Sequence, residues 1–205
     1  MKGRRVSTER RAKTGRPLSF DRDAALERAM LTFWRNGYET TSITDLTAAM
    51  GISTPSLYGS FGDKKRLFLE SVELYAGDRA AMAEAIDSAP SALDAARALL
   101  MGATVTYTGD TTPPGCLLAS ATASGSAASV EVQQVVAGIR AFVTARLRDR
   151  IERDVETGIL PPQTDAAALA GLVTVVMQGL SVLARDGMDR PSLQAIASIA
   201  LEAWP

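Results

Sequence analysis

The sequence predicts an all-helical protein of about nine helices, with a three-helix amino-terminal domain followed by a larger helical domain. Apolar residues recur at helical spacing along most of the chain, and no segment shows convincing strand alternation. Short polar residues and glycines mark repeated helix starts and ends. The chain has 205 residues, of which 46% are hydrophobic, so a substantial core can form without disulfides or metal.

The first two helices have clear start and stop signals. The first is predicted to begin near Asp21 and to end at Asn36-Gly37, because glycine enters the left-handed conformation most easily. Ser42 and Asp45 have the spacing of a capping box and therefore begin a second helix. That helix is expected to end at Gly51.

The next segment begins two more helices within a few residues of each other. Ser53 is predicted to cap a third helix of about two turns, which admits Pro55 in its first turn and ends near Phe61-Gly62. Asp63 then caps a fourth, longer helix. One face of this fourth helix is predicted to carry Phe68, Val72, Tyr75 and Met82.

The rest of the chain is predicted to consist of longer helices with one loop. Pro90-Ser91 begin a helix that continues to Tyr107. The elements predicted after it are a loop over 108–115, a small-residue stretch over 120–129, a helix over 130–156, a turn over 158–162, a helix over 166–184 and a final helix ending at Trp204.

The helix predicted over residues 166–184 has no charged residue and approaches the length that spans a bilayer. It also contains Gly171, Gln178 and several alanines, which add little to membrane insertion. We therefore expect a buried helix of a soluble protein. No signal-peptide pattern begins the sequence, and Cys116 is the single cysteine, so the expected location is the reducing cytoplasm.

Charge is distributed unevenly between the two ends of the chain. Residues 1–66 contain thirteen basic and seven acidic residues, whereas residues 67–205 contain nine basic and sixteen acidic residues. Residues 1–20 carry seven of the cations with almost no apolar periodicity, so we interpret them as a flexible basic arm. A basic end and an acidic body indicate that the amino-terminal end meets a polyanion.

The short helices on either side of residues 50–53 have the pattern of a helix-turn-helix unit. Gly51 supplies the turn, and Leu46 and Leu57 are expected to face inward. The outer face of the second short helix then presents small or hydroxylated residues that can enter a major groove. These candidate DNA-contacting residues are Thr54, Pro55, Ser56, Tyr58 and Ser60, with Lys64 at the start of the next helix.

Residues 21–68 resemble the DNA-binding domain of the TetR family of transcriptional repressors. The matching residues are Phe33, Gly37-Tyr38, Thr41-Ser42, the run from Leu46 to Ser53, Leu57-Tyr58, Phe61, Lys64 and Leu67-Phe68. The resemblance covers about a quarter of the chain, and the total length and helix count also fit the family. It implies a DNA-binding domain over 21–66 and a ligand-binding and dimerisation domain over 67–205.

The resemblance also implies individual roles for the candidate DNA contacts. Thr41 and Ser42 are expected to meet phosphates. Thr54, Pro55 and Ser56 are expected to approach bases, and Tyr58 and Lys64 to hold the DNA backbone. The sequence departs from the common pattern at Gly59-Ser60, where the family often has an aromatic residue and a histidine, so Ser60 is a weaker substitute. Cations of the arm, among them Arg10, Arg11 and Arg16, are expected to compensate in the minor groove.

The family further implies a homodimer with a small-molecule pocket in each subunit. The nearly apolar helix over 166–185 and the last helix are expected to pair with their copies across a two-fold axis, although burial within one chain is the alternative. A hydrophobic effector is expected, because the candidate pocket residues are mainly apolar. They are Met101, Tyr107, Cys116, Leu117, Phe142, Met177 and Gln178, for each of which ordinary core packing is the alternative. Cys116 as a thiol sensor is a further alternative.

Other functional classes fit the sequence less well. The chain contains no histidine, which excludes a Ser-His-Asp triad, a Cys-His pair and histidine-ligated zinc. We therefore expect neither an enzyme nor a cofactor. An effector-independent or architectural DNA-binding protein remains the main alternative, and a ligand-binding module without DNA binding fits the basic end poorly. Repression is the family default, and two-fold symmetry predicts a near-palindromic operator.

The basic arm is expected to make DNA binding strongly dependent on salt. Deleting residues 1–16 removes all seven cations of the arm. We expect the slope of log affinity against log salt to fall by about 0.9 for each phosphate that the truncated protein no longer neutralises. The measurement is a salt titration of the full-length and truncated proteins on one duplex, and equal slopes would show that the arm does not bind DNA.

Overall fold

The computed structural model describes residues 20–120 and 130–205, and every regular element in these two ranges is an α-helix. The helices are α1 (Arg22–Asn36), α2 (Ile43–Met50), α3 (Thr54–Phe61), α4 (Lys64–Ala76), α5 (Arg79–Asp87), α6 (Ala92–Tyr107), α7 (Leu117–Ser120), α8 (Val130–Glu156), α9 (Ala166–Arg185) and α10 (Arg190–Glu202). Within the described ranges, nine helices have eight or more residues and α7 is a single turn, which confirms the predicted fold class.

Short polar side chains begin most of these helices. An aspartate or serine oxygen accepts hydrogen bonds from first-turn backbone N–H groups, which have no partner within the helix. The capping residues are Asp21, Ser42, Ser53, Asp63, Asp78, Ser91, Asp165 and Asp189. The predicted starts of α2, α3, α4 and α6 are therefore confirmed.

The predicted fourth helix is wrong in its length. It ends at Ala76, because Gly77 adopts a φ of 67° and Asp78 accepts hydrogen bonds from the amides of Ala80 and Ala81. Met82 therefore lies on a separate helix, α5, and not on the same face as Tyr75 of α4. The break matters for the interior, since it lets α5 turn and pack against α6 and α8.

The headpiece, defined as α1–α3, is joined to α4 by an aromatic cluster. The rings of Phe33 and Phe68 of α4 meet edge to face with their centres 5.0 Å apart. The centre of the Tyr38 ring lies 4.8 Å from that of the Phe68 ring. Leu46 and Leu57 are fully buried beneath α2 and α3, as predicted. The proposed domain boundary at residue 66 falls inside α4, so α4 extends from the headpiece into the body.

The body is a bundle in which α6, α8 and α9 pack on one another, with α5 on α8 and α10 on α6 and α9. A buried ion pair between Arg150 and Asp154 attaches α8 to the start of α6. Asp154 Oδ2 accepts a hydrogen bond from the Ala92 amide at 2.6 Å, and Arg150 Nη2 donates to the carbonyls of Ala89 and Pro90, both at 3.1 Å. The pair therefore fixes the α5–α6 connection against α8.

Headpiece and body also meet at Gly115, which follows the loop after α6. Trp34 Nε1 of α1 donates to the Gly115 carbonyl at 3.2 Å, and the Gly115 amide donates to the Tyr107 carbonyl at 2.9 Å. Gly115 has a φ of 81°, and a Cβ added there would lie 2.8 Å from the Ser181 carbonyl of α9. The positive φ and the nearness of the Ser181 carbonyl thus both require glycine at position 115. The next amide, of Cys116, donates to Ser181 Oγ at 2.9 Å.

Helix α9 is the one helix in the described ranges that is long and apolar enough to cross a membrane by length and composition. It packs against α6, α8 and α10 in this fold. Its buried residues are Ala170, Val173, Leu180, Ser181 and Ala184. Burial within the single chain, the alternative to pairing with a second copy, is incomplete, since Val175 and Val182 are 68% and 55% exposed.

Breaking the Arg150–Asp154 pair is expected to destabilise the fold. Asp154→Ala leaves the guanidinium of Arg150 buried without its carboxylate and the Ala92 amide without its acceptor. The expected loss in free energy of unfolding is about 3–5 kcal/mol. Urea unfolding at fixed protein concentration measures it.

The matched control is Asp149→Ala on the same helix, because Asp149 pairs with Arg148 at the surface. Its expected cost is below about 1 kcal/mol. Equal losses for the two variants would contradict a clamping role for the buried pair.

Candidate nucleic-acid interface and internal cavity

The turn between α2 and α3 is held by backbone hydrogen bonds and by one arginine of α1. Gly51 adopts the left-handed conformation with a φ of 69°, and the amides of Gly51 and Ile52 both donate to the Thr47 carbonyl, at 3.0 and 3.2 Å. Arg28 Nη1 donates to the Met50 carbonyl at 3.2 Å. These contacts fix α3 relative to α1 and α2 and form the predicted helix-turn-helix unit.

The start of α2 is an exposed capping box. The Asp45 amide donates to Ser42 Oγ at 3.1 Å, while the Ser42 amide and hydroxyl donate to Asp45 Oδ2 at 2.9 and 2.7 Å. Hydrogen bonds from the Ser42 side chain and backbone lower the pKa of Asp45 from its ordinary value. Ser42 is therefore held in an exposed position at the amino terminus of α2, where the helix dipole favours an anion.

The five residues of α3 that were predicted to contact DNA are all exposed or half-exposed. Thr54, Pro55 and Tyr58 are exposed, Tyr58 to 48%, while Ser56 and Ser60 are half-buried. The intervening Leu57 and Phe61 are buried and anchor the helix. No charged residue lies between Asp45 and Asp63, so this face carries no carboxylate that would repel a phosphate.

At the start of α3, the hydroxyl of the capping residue Ser53 lies beside the hydroxyl of Ser56. The Ser56 amide donates to Ser53 Oγ at 3.3 Å, and the two serine hydroxyls lie 2.9 Å apart. Ser53 is thereby occupied as the helix cap, which leaves Thr54 and Pro55 as the outermost residues of the first turn.

Gly59 is open to solvent in the middle of the outer face. A Cβ added at this position would meet no atom within 4 Å, and the residue does not have a positive φ. Ser60, the neighbouring departure from the family pattern, has a carbonyl that accepts a hydrogen bond from Arg22 at 3.3 Å. This surface is therefore flatter than one with an aromatic residue at position 59.

Lys64 lies at the start of α4 beside the α1–α2 connection. Its ammonium donates to the Glu39 carbonyl at 3.2 Å and lies 4.8 Å from the centre of the Tyr38 ring. Partial burial lowers the pKa of Lys64 from its ordinary value. The lysine thus braces the headpiece while remaining half-buried near its outer edge.

Thr41 does not face outward as the resemblance implied. Its side chain is fully buried, and its hydroxyl donates to the Gly37 carbonyl at 2.6 Å. The threonine is therefore part of the turn that links α1 to α2, and its hydroxyl is not available to a phosphate. The three arginines proposed for the arm, Arg10, Arg11 and Arg16, lie outside the described residues.

A second candidate site is a cavity of about 440 Å³ inside the body, among α4, α5, α6, α8 and α9. Five of the seven pocket residues predicted from the sequence line it, namely Tyr107, Cys116, Phe142, Met177 and Gln178. The other two are corrected by the structure. Leu117 is fully buried in the core, and Met101 packs against the core outside the cavity lining.

Several lining residues were missed by the sequence analysis, including Tyr75, Arg79, Met82, Ile86, Leu99 and Arg140. The Gly77-Asp78 pair could have revealed α5, because it combines a helix stop with a cap-type residue. No local signal could have revealed Arg140, since an arginine on a long amphipathic helix is ordinarily a surface residue.

The cysteine and two tyrosines form a small polar group on the apolar cavity wall. Tyr75 donates its hydroxyl hydrogen to Cys116 Sγ at 3.3 Å, and its ring meets Trp34 of α1 edge to face at 4.8 Å. Burial, followed by the neighbouring Cys116, raises the pKa of both Tyr75 and Tyr107. Both phenols therefore remain neutral hydrogen-bond donors. Tyr75 connects the cavity wall directly to the headpiece.

No group of three or more histidine, cysteine, aspartate or glutamate side chains that could hold a metal ion occurs in the described ranges. The carboxylates near Arg148 form surface ion pairs with that residue instead, as Asp149 does at 2.6 Å.

Two protein-family models match the chain. The model of the bacterial regulatory proteins of the tetR family matches residues 25–71, which contain α2, the turn and α3. The model of the tetracyclin repressor-like C-terminal domain matches residues 92–199, more than half of the chain. The two matches cover both the candidate nucleic-acid interface and most of the body.

Two curated relatives are similar in sequence to this chain over nearly its whole length. The chain is 34% identical over 193 residues to the HTH-type transcriptional repressor ComR of Escherichia coli (strain K12), covering 93% of this chain and 92% of ComR. It is 29% identical over 192 residues to the HTH-type transcriptional repressor BdcR of the same organism, covering 92% and 91% of the two chains.

Solved structures show the same architecture. The fold matches the TetR family transcriptional regulator CifR, a cysteine mutant complexed with 26-bp double-strand operator DNA, with a TM-score of 0.86 and 40% identity. This match covers 93% of the present chain and all of the CifR chain. The chain therefore belongs to the TetR family of bacterial transcriptional regulators, with a helix-turn-helix DNA-binding domain.

Proposed function

We propose that this protein is a cytoplasmic transcriptional repressor that binds a near-palindromic operator as a homodimer and is released by a small, mainly apolar effector. The observation that carries the proposal is the outer face of α3, which is exposed, hydroxylated and free of carboxylates. The similarity to CifR, which was solved with its operator DNA, and to ComR, which is described as a repressor, supports it.

On DNA, α3 would lie in the major groove. Thr54, Pro55 and Ser56 would meet base edges, and Tyr58 would donate its hydroxyl to a phosphate. At the exposed amino terminus of α2, the Ser42 hydroxyl would exchange its hydrogen bond to Asp45 for one to a phosphate. Lys64 and Ser60 would lie towards the DNA backbone as weaker contributors.

The dimer would form through α9 and α10. The exposed residues of α9 include Ala168, Val175, Gly179 and Val182, which are spaced seven, four and three positions apart and so lie on one side of the helix. Ile199 of α10 is 66% exposed. An apolar stripe of this kind on a long helix is typical of a surface that is covered by a partner. A second copy of this chain, related by a two-fold axis, would cover it.

The effector would occupy the cavity, whose volume lies in the ordinary range for small-molecule sites. Tyr75 lines this cavity and also packs on Trp34 of the headpiece. A ligand that displaces Tyr75 would therefore favour a different position of α1, and with it a different separation of the two headpieces.

The test of operator recognition is fluorescence anisotropy on labelled duplexes tiled from the DNA that flanks the gene, with competitor DNA present. Tight binding to one palindrome is the expected result. Equal binding to every duplex would instead favour an architectural DNA-binding protein, and no binding to any duplex, followed by failure of a random-sequence selection, would contradict the proposal.

Two α3 variants should separate base recognition from backbone contact. Thr54→Ala is expected to weaken operator binding about tenfold and to leave non-specific binding unchanged, because it removes a base contact. Tyr58→Phe is expected to weaken both by a similar factor, because a phosphate contact carries no sequence information. Thr111→Ala, an exposed threonine of the loop after α6, is the matched control and should change neither affinity.

A charge in the α9 stripe should prevent dimerisation. Val175→Asp would bury an unpaired carboxylate in the proposed interface, so the dissociation constant of the dimer should rise by at least about a hundredfold. Analytical ultracentrifugation measures it, with circular dichroism to check folding. The control is Leu74→Asp, an exposed apolar residue of α4. A dimer unaffected by Val175→Asp would contradict this interface.

A further inference from the structure

The wall of the cavity is mainly apolar and is formed by several helices. Side chains from α5, α6, α8 and α9 face it, among them Met82, Ile86, Leu99, Phe142, Val143 and Met177. Such a lining favours an aromatic or aliphatic ligand body, because removing apolar surface from water is favourable.

Charge in the cavity wall is of one sign. Arg79 and Arg140 are both among the lining residues, whereas no aspartate or glutamate of residues 20–120 and 130–205 is. Arg79 pairs with Glu73, and both side chains are substantially exposed. A cationic ligand would therefore find no carboxylate in the wall with which to pair, and its desolvation would not be compensated.

Arg140 differs from Arg79 because it has no acidic partner among the described residues. Its Nη1 donates one hydrogen bond to the Leu118 carbonyl at 3.3 Å, and no ion pair of the described ranges includes it. Within the described part of the chain, one hydrogen bond therefore uses the guanidinium, which has five N–H donors. Charged donors of this kind form their strongest bonds with carboxylates.

The remaining polar groups of the wall suit the same ligand. Tyr75 and Tyr107 are neutral phenols, since burial raises the pKa of each. Cys116 lies beside them on the wall, as the acceptor of the Tyr75 hydroxyl. The phenols therefore add no negative charge to the wall, and its charged side chains are Arg79 and Arg140 among the described residues.

We infer that the cavity binds an organic acid, with an aryl or alkyl body against the apolar wall and a single carboxylate paired with Arg140. Binding of the acid depends only on the cavity, whereas its role as an effector rests on the proposed repressor function. Arg140 would be the residue that selects acids over uncharged molecules of the same shape.

The experiment is isothermal titration calorimetry on the full-length protein without DNA, using matched compounds that differ in the charge of one group. One series is 2-naphthylacetate, its amide and 2-(2-naphthyl)ethylamine, and a second is octanoate, octanamide and octylamine. The acid of at least one series is expected to bind about tenfold or more tightly than its amide, and each amine is expected to bind most weakly.

Variants of Arg140 test its part in this preference. Arg140→Gln is expected to remove the preference for acid over amide while changing amide affinity less than about twofold, because the apolar wall is intact. Arg140→Lys should retain part of the preference, since it keeps the charge but loses the planar pair of donors. The control, Arg148→Gln, lies on the same helix at the surface and should bind all compounds as the unsubstituted protein does.

Three outcomes would overturn the inference: amides that bind as tightly as acids, an acid preference that survives Arg140→Gln, or no acid that binds with a dissociation constant below about 10 mM. Each is distinguishable from failure of the proposed function, which is tested on operator DNA. An acid that binds the cavity but does not release the operator would leave the ligand class in place and remove the effector role.

Discussion

The junction at Gly115 is the constraint on which the arrangement of both halves of the chain depends. Its carbonyl accepts the Trp34 indole hydrogen from the headpiece, and its amide donates to Tyr107 at the end of α6. The following Cys116 amide donates to Ser181 of α9. Three helices therefore meet at a backbone position where a side chain would strike the Ser181 carbonyl. In the proposed release from DNA, a shift in the body would reach α1 through this contact, because closely packed interiors transmit displacement.

Different sides of helix α9 contact different parts of the molecule. Ser181 holds the Gly115–Cys116 junction, Met177 and Gln178 line the cavity, and Val175 and Val182 form the outward apolar stripe. A helix with so few polar positions resembles a membrane span by composition alone. Helices α6, α8 and α10 pack on α9 and cover part of its surface. The rest of this uncharged helix is exposed in the single chain.

Local signals predicted the headpiece well, and tertiary packing determined what they missed. The caps at Ser42, Ser53 and Asp63 depend on neighbouring backbone amides, so the sequence is sufficient to locate them. The burial of Thr41 depends instead on how the α1–α2 turn folds under the helices. The position of Arg140 on the cavity wall depends on the packing of α8 against helices distant in sequence. Charge and hydropathy in one segment do not contain that information.

Gly59 lies on the face of α3 that is proposed to contact DNA, and the position is open to solvent. Leu57 and Phe61 anchor α3 from below, while nothing surrounds a side chain added at residue 59. Substitution there would alter the surface presented to DNA without disturbing the core. Descendants of this protein could therefore acquire new binding sites through single mutations, and a gene duplicate could diverge from its parent without passing through an unfolded intermediate. The smallest residue of the helix is thus the point from which regulatory evolution can start.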